Sequence, residues 1–192
     1  MDRPLRIAIF ASGGGSNARS IMQHFQNSDL ATVVLLGCNR KSAGAFNHAA
    51  DFNIDSWHFT KDDMQNGNVL KKLEAFDVQL IVLAGFLLMV PESMVKTYPD
   101  RILNIHPALL PRYGGEGMYG MNVHNAVKNA GDLFSGMTIH LVNEHYDEGE
   151  ILFQATTELT SDDTAESIAA KVLTLEHRYY PQVIESYCKT IV

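Results

Sequence analysis

The chain reads as an α/β protein with a mostly parallel sheet, helices on both faces and an antiparallel C-terminal portion. Three features predict it. Apolar, β-rich runs at Ile7 to Ala11, Thr32 to Cys38, Leu80 to Ala84 and Ile102 to Ile105 alternate with helix-like segments, the rhythm of strands joined by helical crossovers. The runs are continuous, as in Leu80-Ile81-Val82-Leu83-Ala84, which is expected when both faces of a sheet are covered. Two later runs, Gly136 to Val142 and Ile151 to Glu158, are separated by only a short loop, which points to antiparallel pairing.

The first strand leads into Ser12-Gly13-Gly14-Gly15-Ser16-Asn17-Ala18, which opens a helix. Unpaired amides and the positive helix end there would face an anion. Gly13 to Ala18 also matches the dinucleotide pattern G-x-G-x-x-A, which calls for an acidic residue roughly 20 positions later. Cys38-Asn39-Arg40-Lys41 stands there instead, so NAD is disfavoured, although Arg40 or Lys41 could meet a 2′-phosphate. No Gly-Lys-Ser/Thr follows the glycines, which excludes a Walker loop. A cradle for a single phosphate is the preferred reading, and a tight turn capped by Ser16 is the alternative.

Further along, Arg101-Ile102-Leu103 reads as a short buried strand, from which Asn104-Ile105-His106-Pro107 leaves the sheet. Pro107 stops both ladder pairing and helix. A loop with Gly114, Gly115, Gly117 and Gly120 precedes a helix around Val123 to Ala130. After the strand Thr138 to Val142, Asn143 to Gly149 forms a polar loop carrying Asp147. Asp163-Thr164-Ala165-Glu166 resembles a capping box, and Ile168, Val172, Leu175 and Tyr179 follow at helical spacing. Pro181 is expected to kink or end that helix.

At 192 residues, 46% hydrophobic and 19% charged, the sequence suits one globular domain over residues 1–192. No apolar segment approaches the roughly 20 residues needed to span a bilayer, and the N-terminus lacks secretory signal features. Cys38 and Cys188 have neither CxxC nor zinc spacing. We therefore expect a cytoplasmic protein with no membrane partner. A net charge of −7 disfavours broad contact with nucleic acid.

A carboxamide and an imidazole presented together, Asn104 and His106, can hold a carbonyl and stabilise an oxyanion. Asp147 is the natural carboxylate partner for the imidazole. The plainer alternative is a capped strand end with a partly buried histidine. His140, on a strand between Ile139 and Leu141, reads as a supporting residue, and His145 and Glu148 as solvated surface. His106, His140, His145 and Asp147 lack the tight spacing of common zinc sites, so no metal is expected. No G-x-S-x-G elbow appears. Glu176 and His177 are either surface charge or, in the case of the carboxylate, a partner for an amine-bearing substrate.

Taken together, Ser12 to Asn17, Ala84-Gly85-Phe86, Asn104-Ile105-His106-Pro107-Ala108-Leu109-Leu110-Pro111, Ser135 to His140, Asp147-Glu148-Gly149 and Leu175-Glu176-His177 resemble the phosphoribosylglycinamide formyltransferases, the folate-dependent transferases of purine synthesis, over nearly the whole chain. The resemblance implies a Rossmann-like formyltransferase fold, with Asn104, His106 and Asp147 as the catalytic set. It implies that the loop of Gly13, Gly14, Gly15, Ser16 and Asn17 holds the phosphate of glycinamide ribonucleotide, with Lys61 as an additional cation, and that Glu176 meets the glycinamide. It further implies a pocket for the cosubstrate 10-formyltetrahydrofolate lined by Phe86, Leu87, Leu88, Met89 and Val90, with backbone of the His140 to Asp147 stretch contacting the pteridine. By composition alone, residues 87 to 90 could equally be core.

Two features depart from the common family form. Gly114 to Met121 is longer and richer in glycine, which leaves the roles of this loop and of His124 open, and Leu88 stands where many members carry an arginine. Related folate users, a formyltetrahydrofolate hydrolase and a methionyl-tRNA formyltransferase among them, are the enzymatic alternatives. We expect neither a regulatory domain before the first strand nor a tRNA domain after the last helix. A non-catalytic nucleotide sensor would bind ligand without turnover. The expected assembly is a monomer or homodimer.

Overall fold

The computed structural model describes residues 3–191, which form a seven-stranded sheet between two helical layers. The strands are β1 (Leu5–Ala11), β2 (Ala31–Cys38), β3 (Asp55–His58), β4 (Leu80–Leu83), β5 (Ile102–His106), β6 (Phe134–Leu141) and β7 (Ile151–Glu158), in the order β3-β2-β1-β4-β5-β6-β7. The first five run parallel, and β6 and β7 pair antiparallel. From β1 the chain passes to β2 on one side, while β4 lies on the other. The crevice beyond the carboxyl ends of β1 and β4 is therefore a topological switch point, where ligands of open α/β sheets bind.

Strand periodicity sorts the core. Ile7 and Ile9 of β1, Val82 of β4 and Leu103 and Ile105 of β5 face the layer built from α1 (Ser16–Phe25), α2 (Ala45–Asp51), α6 (Met121–Ala130) and α7 (Ala165–Ile191). Ala8, Phe10, Ile81 and Ile102 face α3 (Lys61–Gln65), α4 (Asn68–Ala75) and α5 (Glu92–Thr97). Successive side chains alternate across a strand, so Asn104 and His106 share the second face with Ile102. Both lie on β5 itself rather than on an exit from the sheet, because the ladder with β6 continues to His106 and Thr138. The short strand β3, with only Trp57 and His58 half-buried among exposed neighbours, carries no continuous apolar run and is absent from the sequence reading.

Helix α7 continues through Pro181 to Ile191, so the proline does not end it. Proline removes the amide that would bond the carbonyl of His177, four residues earlier. Ser20 Oγ on α1 donates to that carbonyl at 3.1 Å, and Pro181, Ile184 and Cys188 are buried beyond it. The proline defect is thus covered by a neighbouring helix. The capping box also lies one residue later than expected: Thr164 Oγ1 accepts from the Ser167 amide and Ser167 Oγ accepts from the Thr164 amide. Asp163 is engaged instead by Lys171 Nζ at 2.7 Å. No helix among the described residues is long and apolar enough to cross a membrane.

Ser20→Ala should lower stability by about 1 kcal/mol, the usual net value of a hydrogen bond. The loss should shrink in a Pro181→Ala background, where the restored amide reaches the His177 carbonyl. Urea unfolding of the four proteins in the double-mutant cycle measures this coupling, and equal losses in both backgrounds would refute it.

Candidate active site

Antiparallel pairing sets Asn104 opposite His140 and His106 opposite Thr138, so adjacent strands present four polar side chains on one face. Thr138 Oγ1 donates to the Ala108 carbonyl at 2.6 Å and accepts from the Leu110 amide at 3.0 Å. Gln154 Nε2 on β7 reaches the same hydroxyl at 2.9 Å and the Leu110 carbonyl at 3.0 Å. This latch fixes the chain beyond Pro107 and with it the direction in which the loop departs. The motif glycine Gly149 has a steric reason as well, since a Cβ there would overlap the carbonyl of Leu141.

Hydrogen bonds assign the imidazole protons, because a carbonyl can only accept. His106 Nε2 donates to the Tyr113 carbonyl at 2.7 Å, which leaves Nδ1 facing Asp147 Oδ2 at 3.5 Å. His140 Nδ1 donates to the Leu141 carbonyl at 2.7 Å, so its Nε2 accepts from Asn104 Nδ2 at 3.1 Å. Asp147, in the left-handed region at φ 56°, receives the Gly115 amide on Oδ2 at 3.0 Å and places Oδ1 3.6 Å from His140 Nε2.

Burial dominates the electrostatics. It holds His106 below the ordinary histidine range, against the opposing pull of the Asp147 charge and the Tyr113 carbonyl. Burial pushes the Asp147 carboxyl up, but His140, His106 and the Gly115 amide together hold it below its ordinary value. The resting state at neutral pH is a carboxylate beside a neutral imidazole. Across the site, Glu176 on α7 is buried and accepts from Asn17 Nδ2 at 2.6 Å. Burial raises its carboxyl, and the Asn17 hydrogen bond offsets this only in part. Asn17 Oδ1 is itself buried without a partner.

These groups line one cavity of about 680 Å³, and residues 5–184 match the formyl transferase family model. The chain belongs to that family. A relative in Arabidopsis thaliana, named phosphoribosylglycinamide formyltransferase, chloroplastic, is 40% identical over 97% of this chain. The chain spans 66% of that relative's length. The Bacillus subtilis protein named phosphoribosylglycinamide formyltransferase is 33% identical, with 94% of this chain and 93% of its own covered. A solved structure of the enzyme of the same name from Anaplasma phagocytophilum superposes with a TM-score of 0.89 at 30% identity, over 98% of this chain and 89% of the other.

In this member of the family, Asn104, His106, Asp147, His140, Asn17 and Glu176 all line the cavity. So does the whole of Phe86 to Val90, with Leu87 and Met89 exposed, Phe86 and Leu88 half-buried and Val90 buried. That segment serves as wall and core at once, with Phe86 packed on Phe10 at 5.5 Å. Gly13, Gly14, Gly15 and Ser16 stand beside Asn17 but outside the lining. Gly15, at φ 80°, is the N-cap of α1, and no side chain caps the helix, which corrects the reading of Ser16 as a cap. Arg19 is the first residue whose amide bonds back into the turn, so the amides of residues 16 to 18 are open for an anion. Ser12 is used structurally: its hydroxyl donates to Asn39 Oδ1 at 2.6 Å and accepts from the Leu87 amide at 2.9 Å. Arg40, Lys41 and Lys61 are exposed and outside the cavity, and none of the lining residues is lysine or arginine.

Sequence reasoning left the role of His124 open and gave no site role to Thr138, Val172 or Leu173. His124 on α6 is 6% exposed, lines the cavity and has a buried, unpartnered Nδ1. Its spacing of three from the buried Val127 was the available signal. Val172 and Leu173 of α7 complete the apolar wall, and Thr138 holds the loop latch. Among the described residues no group of three or more His, Cys, Asp or Glu side chains is placed to hold a metal ion.

Because the folded Glu176 carboxyl titrates above its ordinary 4.5, the folded state binds more protons than the unfolded chain between 4.5 and the raised value. Stability should therefore fall as pH rises through that window. Glu176→Gln should flatten this slope and raise the melting temperature at neutral pH. Melting curves across pH test it, and an unchanged slope would show that Glu176 is not the group responsible.

Proposed function

We propose that residues 1–192 act as a single formyltransferase domain that transfers the formyl group of 10-formyltetrahydrofolate to the primary amine of glycinamide ribonucleotide, giving formylglycinamide ribonucleotide and tetrahydrofolate in purine synthesis. The observation that carries this reading is the sharing of one cavity by the Asn104, His106 and Asp147 cluster and the Asn17 and Glu176 pair at the open start of α1. A phosphorylated amine would enter from the α1 side, with its phosphate on the amides of residues 16 to 18 and its amine toward Glu176. The folate would lie along Phe86 to Val90 and the backbone between His140 and Asp147. The two reacting atoms would then meet beside His106. The names of the plant and bacterial relatives support the same acceptor.

The amine nitrogen attacks the formyl carbon, and the carbonyl oxygen becomes the oxyanion of a tetrahedral intermediate. Asn104 Nδ2 spends one hydrogen on His140, which leaves its second for that oxygen. His106 has Nε2 committed to Tyr113, so Nδ1 is the atom that takes up the proton shed by the attacking amine as negative charge develops, becoming a cationic donor between the oxyanion and Asp147 until that proton passes on to the leaving nitrogen. Asp147 orders a water that carries the amine proton to the leaving N10, so atoms and charge balance without a covalent enzyme intermediate. The free, buried thiols of Cys38 and Cys188, both pushed up to about 11 by burial, support a reducing, cytoplasmic setting. The working assembly is a monomer or homodimer.

Deformylation of 10-formyltetrahydrofolate, followed by absorbance with and without the ribotide and by mass spectrometry of the product, should depend strictly on the ribotide. Turnover without acceptor would instead make the protein a hydrolase. Asn104→Ala, His106→Ala and Asp147→Asn should each lower kcat by roughly 10²- to 10³-fold, the scale for loss of one oxyanion donor, with unchanged far-UV circular dichroism. Near-normal turnover in all three would remove the residue assignment.

A further inference from the structure

We propose that Tyr113 is a positioning residue for His106, held in place from outside the cavity by Asp132 and Arg112. The inference rests on the catalytic reading of His106 and extends it to residues that touch no substrate. Tyr113 has φ 57°, a left-handed conformation unfavourable for any residue with a Cβ. In that conformation its carbonyl receives His106 Nε2 at 2.7 Å. The other end of the residue is tied down. Its phenol donates to Asp132 Oδ2 at 2.7 Å, and Arg112 Nη2 donates to Asp132 Oδ1 and to the phenol oxygen, each at 3.0 Å. The guanidinium also lies over the tyrosine ring, 5.1 Å from its centroid.

Asp132 is a fixed anchor. It follows Gly131, the left-handed C-cap of α6, and its amide points back to the Val127 carbonyl. The brace therefore fastens the loop leaving β5 to the far end of α6, and the opposite side of the same residue fixes which imidazole nitrogen carries the resting proton. Without the brace, Tyr113 can relax to negative φ and turn its carbonyl away. His106 would then lose its only acceptor for Nε2–H, and Nδ1 would cease to be the reserved cavity-facing site. The groups facing His106 are otherwise Asp147 from the loop after β6, His140 from β6 and His124 from α6. None of these is altered by changes at Tyr113 or Asp132.

The test compares Tyr113→Phe, Asp132→Ala and Asp132→Asn with the unmodified protein. Long-range ¹H–¹⁵N NMR of the imidazoles in the free protein reads the His106 tautomer independently of activity, and steady-state kinetics give kcat and KM. Tyr113→Phe and Asp132→Ala should replace a single Nε2–H form by a tautomer mixture and lower kcat roughly ten- to a hundred-fold, the scale for misplacing a catalytic group, with the KM for the ribotide unchanged. Asp132→Asn keeps an acceptor for the phenol and should retain both properties. An unchanged tautomer in folded Tyr113→Phe or Asp132→Ala overturns the proposal, as does a tautomer change without loss of kcat. Should His106→Ala retain turnover, the functional reading falls, while the NMR comparison still decides whether the brace sets the imidazole.

Discussion

The register of β5 against β6 is the constraint on which the site depends. Parallel pairing ends at β5, and the antiparallel ladder that follows places Asn104 across from His140 and His106 across from Thr138. A slip of β6 by one residue would move Thr138 and His140 to the opposite face, into the layer of α1 and α7, and leave Asn104 and His106 without them. The Thr138 latch and the close approach at Gly149 both resist such a slip, the first through the loop after β5 and the second through the carbonyl of Leu141. The chemistry thus rests on a backbone ladder whose ends are closed by side-chain hydrogen bonds.

Desolvation sets the character of the groups that this ladder presents. Burial holds His106 low, the donors converging on Asp147 outweigh its burial, and Glu176 is raised with one hydrogen bond in compensation. A fold selected for stability alone would not bury a carboxyl with a single amide partner, nor leave Asn17 Oδ1 and His124 Nδ1 without one. Local disagreement with packing rules is expected where a site must meet a ligand. Glu176, Asn17 and His124 all line one cavity, while the other unpartnered buried atoms among the described residues, on His48, Ser135 and His177, lie outside its lining.

Much of this was legible in the sequence, and the parts that were not share a physical cause. Continuous apolar runs marked β1, β2, β4 and β5, and the spacing of two between Asn104 and His106 places them on one strand face. Asp147 was readable as a loop carboxylate, although its distance from His106 depended on pairing between residues far apart in the chain. That α7 continues past Pro181 was not readable, because the partner for the orphaned His177 carbonyl is Ser20, 157 positions away. The capping of α1 was hidden because the cap is a backbone conformation at Gly15 rather than a polar side chain. The role of His124 stayed open because one imidazole on a helix resembles any other polar residue until the fold buries it against the cavity.

The hydroxyl of Ser12 joins the end of β1 to Asn39 beyond β2 and to Leu87 beyond β4. The glycine turn and the apolar wall are consequently two parts of one stiff rim. Neither can swing outward alone without breaking a bond to the other. The opposite bank, the glycine-rich stretch after Tyr113, is fastened differently, to the end of α6 through Tyr113 and Asp132 and to the site through the Gly115 amide on Asp147, so the two sides of the mouth hang from separate parts of the fold.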